Sequence, residues 1–248
     1  MASFGTLTWI DQTGGRMTLL DRLRETAQAV QARARRKLLP RHLSSDRRVE
    51  DILPPDSAIA LEALSLCREA SPLFLLNHCL RSYFWARLLD ERDEKIDQEA
   101  LFVATMLHDL GLAPDHRLSC YSDDECFTAV GAREAKAMAG RHNWEEARAD
   151  KTANAIALHL NVVVHDHHGP EARLVRLGSG ADTAGLGLSR LRPDQIEEVL
   201  RRYPRHGMKE GLVPLLESEA LERPHCRIAF LQKKFDFSKM VRIAPFTE

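Results

Sequence analysis

A histidine and an aspartate stand side by side at the end of an apolar segment, residues 101–112. His108 and Asp109 follow a run of helix-forming apolar residues, and Gly111 and Pro114 then end the helix. A buried polar group or charge without a partner costs free energy, so both side chains need partners. A divalent metal ion would satisfy the imidazole and the carboxylate together, which makes a metal site the first hypothesis.

Two further segments offer ligands of the same chemical types. His78 lies within an apolar helical segment before the pair, and Asp182 ends another such segment after it. Two imidazoles and two carboxylates suit Zn, Fe or Mn when the helices of a bundle direct them inward. A metal with open positions lowers the pKa of a bound water and yields a hydroxide nucleophile near neutral pH. In the alternative interpretations, Asp182 caps a helix and His78 is a satisfied core histidine.

Two more polar side chains lie close to these candidates in the helical pattern. Arg81 stands three residues after His78, so the two share a helix face. Arg81 could face a developing negative charge, or it could pair with a neighbouring acid. His159, near the end of a later helix, could be an outer partner of the ligands, a substrate contact, a general acid or base, or an ordinary core histidine. A second His-Asp pair lies in the segment 165–168, which a glycine and a proline follow and which we interpret as a solvent-facing loop.

Helices must position these side chains, because the apolar residues repeat with a helical period and show no sustained period-2 alternation. We therefore predict an all-α fold, a helical bundle with an N-terminal helical extension. Residues 1–16 are expected to form an irregular arm, and residues 204–248 one or two shorter helices before an irregular tail. The other predicted helices cover residues 18–39, 56–70, 73–90, 98–110, 127–141, 144–160, 171–181 and 192–202.

Composition and charge exclude several classes of protein. A net charge of −1 lacks the basic excess that phosphate contacts need, so we expect no nucleic-acid partner. The five cysteines form no C-x-x-C pair and indicate free thiols in a reducing compartment. No apolar run approaches the ~20 residues of a membrane span, and the N-terminus does not resemble a secretory signal. We expect a cytoplasmic protein with a small-molecule substrate, no membrane partner and a possible homodimer formed through the N-terminal helix.

Together these segments resemble the HD-domain superfamily of metal-dependent hydrolases, whose signature is a His, a later His-Asp pair and a distant Asp. The similarity is greatest to the branch that includes cyanamide hydratase and related bacterial HD-domain proteins. The matching segments are 77–83 (NHCLRSY), 106–112 (MLHDLGL), 157–159 (ALH), 180–186 (GADTAGL) and 202–205 (RYPR).

The resemblance implies a division of the chain and a ligand set. It covers about residues 54–230, which form the expected metal-binding helical domain of HD type. Residues 1–53 are the N-terminal arm, helix and linker, and residues 231–248 a C-terminal tail. The implied cofactor is one divalent metal ion, with Zn as first choice and Fe or Mn as alternatives. The implied metal ligands are His78, His108, Asp109 and Asp182.

One position departs from the family pattern. Many relatives carry a glutamate directly after the phenylalanine that corresponds to Phe127, whereas this chain has Thr128. A carboxylate that could serve as acid, base or structural anchor is therefore absent. The polar loop 115–126 could supply a substitute acid, and His116 within it could line an entrance.

The expected function is a metal-dependent hydrolase that acts on a small polar molecule through a metal-bound hydroxide. Two reactions are candidates, one phosphohydrolase-like and one like a cyanamide or nitrile hydratase. We assign catalytic roles to Asp109, His159 and Arg81, and substrate contacts to Thr128, His159 and Arg81. Near the motifs only Arg81 and Arg117 are available for a phosphate, which favours an uncharged substrate. The alternative is a non-catalytic metal- or ligand-binding regulatory protein that keeps the HD fold.

Overall fold

The protein is built from α-helices. A computed structural model describes residues 2–38, 46–92, 95–113 and 126–248. Within these ranges it contains twelve α-helices and no β-strand, which confirms the all-α class. None of the described helices combines the length and apolarity needed to cross a membrane. The helices are α1 Leu7–Thr13, α2 Leu19–Leu38, α3 Ala58–Ala70, α4 Leu73–Leu88, α5 Gln98–Leu107, α6 Phe127–Arg141, α7 Glu146–Leu158, α8 Pro170–Ala184, α9 Pro193–Arg202, α10 Met208–Glu222, α11 Arg227–Phe235 and α12 Phe237–Arg242.

Helix α5 is the central helix of the bundle. It packs against α3, α4, α6, α7 and α8, and every side chain from Ala100 to Leu107 is buried. Asp97 begins the helix as its N-cap, with a side-chain oxygen that accepts from the Ala100 backbone N–H at 3.0 Å. The His-Asp pair follows α5 directly, so it lies in the interior of the bundle.

Two glycines allow the helices around α5 to approach closely. A Cβ atom on Gly178 of α8 would lie 2.0 Å from the backbone oxygen of Ser82 in α4. A Cβ atom on Gly131 of α6 would lie 1.9 Å from the backbone oxygen of Leu107 in α5. Any larger residue would push these backbones apart. The glycines thus help to bring together the helices that carry the candidate ligands.

The N-terminal arm is more ordered than predicted. Instead of an irregular segment it contains α1, which buries Trp9 and Ile10 and packs against α6 and α7. The hydroxyl of Thr6 caps this helix by accepting from the Trp9 backbone N–H. The predicted helix 18–39 is present as α2, and its apolar side is exposed at Leu19, Leu20, Leu23 and Val30. A homodimer formed through α2 stays a prediction.

The C-terminal segment also differs from its prediction. It forms three helices, α10 to α12, rather than one or two followed by an irregular tail. Gly211 and Pro214 both lie inside α10, although residues of these types favour helix ends. The tertiary structure overrides that preference, because a Cβ at residue 211 would lie 2.4 Å from the ring of Phe74. The division of the chain at residues 53 and 230 stays a prediction.

Candidate metal centre

The His-Asp pair lies just beyond α5. This helix ends at Leu107, three residues before its predicted end at residue 110. His108 is the C-cap and keeps helical angles of φ −62° and ψ −31°. Asp109 leaves the helix with φ −109° and ψ 13°. Consecutive helical residues point about 100° apart, so this change of backbone direction lets both side chains face one point. The His108 Nε2 and Asp109 Oδ2 atoms are 3.4 Å apart.

His78, His108 and Asp109 form a buried group whose ligand atoms all lie within 4.8 Å of one another. The Nε2 atoms of the two histidines are 3.1 Å apart. The Oδ2 atom of Asp109 lies 3.2 Å from the His78 Nε2. Both imidazoles have no exposed surface and Asp109 is 5% exposed. The structure therefore brings together three of the four ligands implied by the sequence.

The hydrogen-bond partners of the Nδ1 atoms show which nitrogen of the His78 and His108 rings carries the hydrogen. His78 Nδ1 is 2.8 Å from the carboxylate of Asp182, and His108 Nδ1 is 2.8 Å from the backbone oxygen of Thr105. A carboxylate and a carbonyl can only accept, so both Nδ1 atoms donate. In neutral rings the Nε2 atoms then carry lone pairs, which face each other and the Asp109 carboxylate. This convergence of lone pairs and negative charge fits a cation, and a divalent metal ion suits the donor set.

His159 adds a third imidazole to the group. Its ring stands edge-on to that of His108, with 4.9 Å between centroids, and its Nε2 lies 3.5 Å from Asp109 Oδ1. Its Nδ1 donates to the backbone oxygen of Ile156 at 2.8 Å, as His108 does to Thr105. Each histidine follows directly after its helix, His159 after α7 and His108 after α5. His159 therefore borders the group through Asp109, without belonging to the set of ligand atoms that lie within 4.8 Å of one another.

The pKa values of the group suit metal binding. Burial lowers the pKa of His108, and burial together with the His108 charge lowers the pKa of His159 to about 3. Burial also lowers the pKa of His78, but its hydrogen bonds to Asp109 and Asp182 outweigh this effect and the net shift is upward. Burial would raise the pKa of Asp109, yet the neighbouring histidines hold it well below its usual range. The carboxylate is thus ionised while two of the three imidazoles favour the neutral form.

Asp182 lies outside this group in the structure. Its carboxylate accepts from Arg81 Nε at 2.7 Å, Arg81 Nη2 at 2.8 Å, Trp85 Nε1 at 2.8 Å and His78 Nδ1 at 2.8 Å. Four donors occupy about all the lone-pair positions that a carboxylate offers. The geometry therefore makes Asp182 an orienting partner of His78 and differs from the predicted direct ligand. Trp85 was missed in the sequence, although it lies seven residues after His78 on the same face of α4.

Arg81 is a structural partner of Asp182. Besides its two hydrogen bonds to that carboxylate, it donates to the backbone oxygens of Tyr203 at 2.9 Å and Pro204 at 3.0 Å. The side chain is fully buried. The structure thus favours the alternative in which Arg81 pairs with an acid, and its catalytic and substrate-binding role stays a prediction.

A comparison with known protein families identifies this arrangement. The family model described as the HD domain matches residues 75–199, half of the chain. The chain belongs to the HD-domain family. All the residues of the metal group, together with Asp182, lie within the matched range. No curated protein matches the sequence significantly. HD domains are typically metal-dependent hydrolases, and the buried histidines and aspartate are compatible with a divalent metal ion.

Thr128, at the position where the resemblance implies a glutamate, contacts two neighbouring side chains. Its hydroxyl accepts from Arg227 Nη2 at 3.0 Å and donates to the sulfur of Cys126 at 3.4 Å. Arg227 also donates to Asn161 Oδ1 at 2.6 Å. The hydroxyl of Thr128 is thus engaged within the protein, and its substrate contact stays a prediction. Arg227, which lies outside the matched HD-domain range, carries no sequence signal that would have identified it.

The second His-Asp pair of this HD domain is on the surface, as predicted. Residues 165–167 are exposed, and His165 Nε2 interacts with Arg24 at 3.3 Å and with Gln28 at 3.2 Å. These histidines are not part of a metal-binding group among the residues that the structure describes. The predicted roles of the polar loop, including His116 and Arg117, fall on residues 114–125, outside the described ranges.

Replacement of His159 by glutamine is expected to make the unfolding free energy of the metal-free HD domain depend less strongly on acidic pH. The pKa of His159 is about 3 when folded and near 6.5 when unfolded, so the unfolded state binds the proton more tightly. Its stabilising effect is thus complete above pH 6.5 and is lost as the pH falls towards 3. One proton corresponds to about 1.4 kcal/mol of unfolding free energy per pH unit.

Urea unfolding of chelator-treated protein at pH 6 and pH 5 measures this effect. The slope of unfolding free energy against pH should be smaller in His159→Gln than in the wild type by up to that amount. His165→Gln, on the exposed loop, serves as the control and should keep the wild-type slope. Equal slopes in His159→Gln and the wild type would show that the His159 ring is not held neutral by burial.

Proposed function

We propose that this HD domain is a single-metal hydrolase or hydratase for a small, uncharged polar molecule. The observation that supports this most strongly is the convergence of imidazole nitrogens on the buried Asp109 carboxylate. A divalent ion in that position would lower the pKa of a water ligand and supply hydroxide near neutral pH. Zn is our first choice, and Fe or Mn suit the same donors.

We assign His78, His108 and Asp109 as metal ligands and His159, rather than Asp182, as the fourth. The reason is that the Asp182 oxygens already accept four hydrogen bonds, whereas His159 Nε2 faces Asp109. Asp182 acts through the Nδ1 atom of His78, whose orientation and basicity it controls. The backbone oxygens of Thr105 and Ile156 orient the rings of His108 and His159 in the same way.

Asp109 is the residue best placed to orient an attacking water. Its Oδ2 faces His78 and His108, and its Oδ1 faces His159. Because its pKa is held low, Asp109 stays ionised and accepts hydrogen bonds throughout the neutral range. The chemical step would then form a bond between the oxygen of that water and an electrophilic carbon of the substrate, and the proton that the water loses would pass to the substrate nitrogen.

The charges near the group favour an uncharged substrate. Phosphate esters are usually bound by free arginine or lysine side chains. Within the described part of the chain, three buried arginines lie near the group, and each one has a partner within the protein. Arg81 binds Asp182, Arg205 pairs with Glu248, and Arg227 binds Thr128 and Asn161. A nitrile or small amide needs no such cation, so we prefer the reaction of the cyanamide hydratase type.

A substrate panel tests the proposed reaction. We expect metal-loaded protein to hydrate small neutral nitriles, cyanamide among them, or to hydrolyse small amides. Phosphomonoesters should be turned over at least about tenfold more slowly, a difference of 1.4 kcal/mol in activation free energy. Release of amide product, ammonia or phosphate is the measurement, with His108→Ala as the control for contaminating activity. Faster phosphate release than nitrile or amide turnover would contradict the proposed substrate class.

A regulatory protein without turnover is the second candidate. It is supported by Thr128, which stands where relatives carry a carboxylate and which instead holds Arg227. Protein that contains one metal ion per chain but is inert towards the whole panel would favour this candidate. The small-molecule partner and the cytoplasmic location stay predictions under either function.

A further inference from the structure

Two cysteines far apart in the sequence meet at the ends of two helices. Cys126 is the N-cap of α6 and Cys226 is the N-cap of α11, and each is 1% exposed. Both residues therefore lie at helix ends that carry positive partial charge, although neither side chain makes a capping hydrogen bond. A Cβ atom on Gly15 would lie 3.5 Å from the Cys126 Cβ and 3.6 Å from the Cys226 Sγ, so both thiols line the same small space.

The surroundings of Cys126 stabilise a thiolate. Its sulfur accepts a hydrogen bond from the Thr128 hydroxyl at 3.4 Å, and the thiol of Cys226 lies nearby. The guanidinium of Arg227 binds that same hydroxyl and adds a nearby positive charge. The hydrogen bond from Cys226 is the largest cause of a lowered Cys126 pKa of about 5, and it raises the pKa of Cys226. Of the two thiols, Cys126 is therefore the more acidic.

A second cysteine pair in the same bundle lacks these features. Cys67 and Cys79 are also buried and are hydrogen-bonded to each other. Cys67 lies near the end of α3 and Cys79 within α4, so neither is at a helix N-terminus. This pair serves as a comparison, because its sulfurs lie away from helix N-termini and near other partners, Ser71 for Cys67 and His108 for Cys79.

We propose that Cys126 and Cys226 form a redox-active dithiol that reduces a small hydroperoxide and becomes a disulfide. The Cys126 thiolate attacks the terminal peroxide oxygen, the O–O bond breaks, and the departing oxygen leaves as water or an alcohol after taking a proton. Cys126 is then a sulfenic acid. The Cys226 sulfur attacks the Cys126 sulfur, an S–S bond forms, and the hydroxyl leaves with the Cys226 proton as water. Two thiols and one hydrogen peroxide thus give one disulfide and two waters.

The geometry assigns different roles to the two sulfurs. Cys126 is the attacking residue because the hydrogen-bond donors and Arg227 converge on it. Cys226 is the resolving residue because its sulfur lies beside Cys126 across Gly15 and its pKa is raised. The proposal does not depend on the reaction of the metal centre, and its test needs neither a metal nor a substrate.

Peroxide treatment of the folded, reduced protein tests the proposal. Samples are quenched, denatured, alkylated and digested with a protease that cleaves after glutamate, so that cleavage after Glu125 separates Cys120 from Cys126. We expect the free thiols to fall from five to three per chain and the Cys126–Cys226 linked peptide to accumulate. Cys67 and Cys79 should stay reduced over the same time. In Cys226→Ser, a sulfenic acid on Cys126 should be trapped by dimedone.

Two variants test the role of the donors. Thr128→Val and Arg227→Met should each slow formation of the disulfide at least tenfold, with Cys67→Ser as the control that keeps the wild-type rate. Far-UV circular dichroism and the melting temperature show that each variant is folded, and Thr128→Val suffices if Arg227→Met does not fold. The proposal would be overturned by oxidation of the Cys67–Cys79 pair at an equal rate, by linkage of Cys126 to Cys120, or by five free thiols after treatment of the wild type.

Discussion

Replacement of His108 by alanine is expected to remove the metal ion and abolish any turnover. His108 supplies one of the Nε2 atoms that face Asp109, and its Nδ1 hydrogen bond to Thr105 fixes the direction of the ring. Loss of an outer partner of a ligand typically weakens metal binding 10- to 100-fold, so loss of the ligand itself should weaken it by about 100-fold or more. Elemental analysis of protein purified without chelators should fall from about one ion per chain to a small fraction.

A matched histidine variant separates this loss from nonspecific binding. His165→Ala removes an exposed imidazole next to a second His-Asp pair, and it should keep the wild-type metal content. Circular dichroism of His108→Ala should show an intact helical fold. A folded His108→Ala protein that still holds one ion per chain would exclude His108 as a ligand.

Replacement of Arg81 by methionine is expected to destabilise the protein by about 3–5 kcal/mol, the usual effect of removing one partner from a buried ion pair. Both Arg81 and Asp182 are fully buried, and the guanidinium binds both oxygens of the carboxylate. Without the arginine, Asp182 is left with Trp85 and His78 as close partners and with Arg205 at 3.6 Å. The free energy of unfolding in urea is the measurement.

Two further variants show whether the buried charge causes the effect. Arg141 pairs with Glu62 on the surface with 51% of its side chain exposed, and Arg141→Met should cost less than about 1 kcal/mol. Arg81→Met combined with Asp182→Asn removes the unpaired charge and should recover part of the lost stability. If Arg81→Met lowers the free energy of unfolding no more than Arg141→Met does, the pairing of Arg81 with Asp182 does not stabilise the fold. A substrate role for Arg81 would then be the better explanation.

The helices were predictable from the sequence to within a few residues because their apolar residues repeat with a helical period. The main errors lie where tertiary contacts override local preference. α10 contains Gly211 and Pro214, and the glycine is required because Phe74 packs against it. α5 ends at Leu107 rather than at residue 110, and its end lies where Gly111 approaches the backbone of Phe127.

The candidate site was predictable as a set of residues but not as a set of roles. Residue type and order suggested His78, His108 and Asp109, and the structure brings them together. The roles of Arg81 and Asp182 depend on how α4 packs against α8, which no local pattern reveals. The contact between Thr128 and Arg227 joins residues 99 positions apart and could not be inferred either.

Anomalous X-ray scattering from a crystal of the metal-loaded protein tests the central claim most directly. Data collected on both sides of the metal absorption edge locate the ion and identify its element. We predict one ion per chain at about 2.0–2.2 Å from the Nε2 atoms of His78 and His108 and from a carboxylate oxygen of Asp109. His159 Nε2 should be the fourth protein ligand. No anomalous peak in this group after loading, with a protonated His78 bridging Asp109 and Asp182 instead, would contradict the assignment of this HD domain as a metal-dependent enzyme.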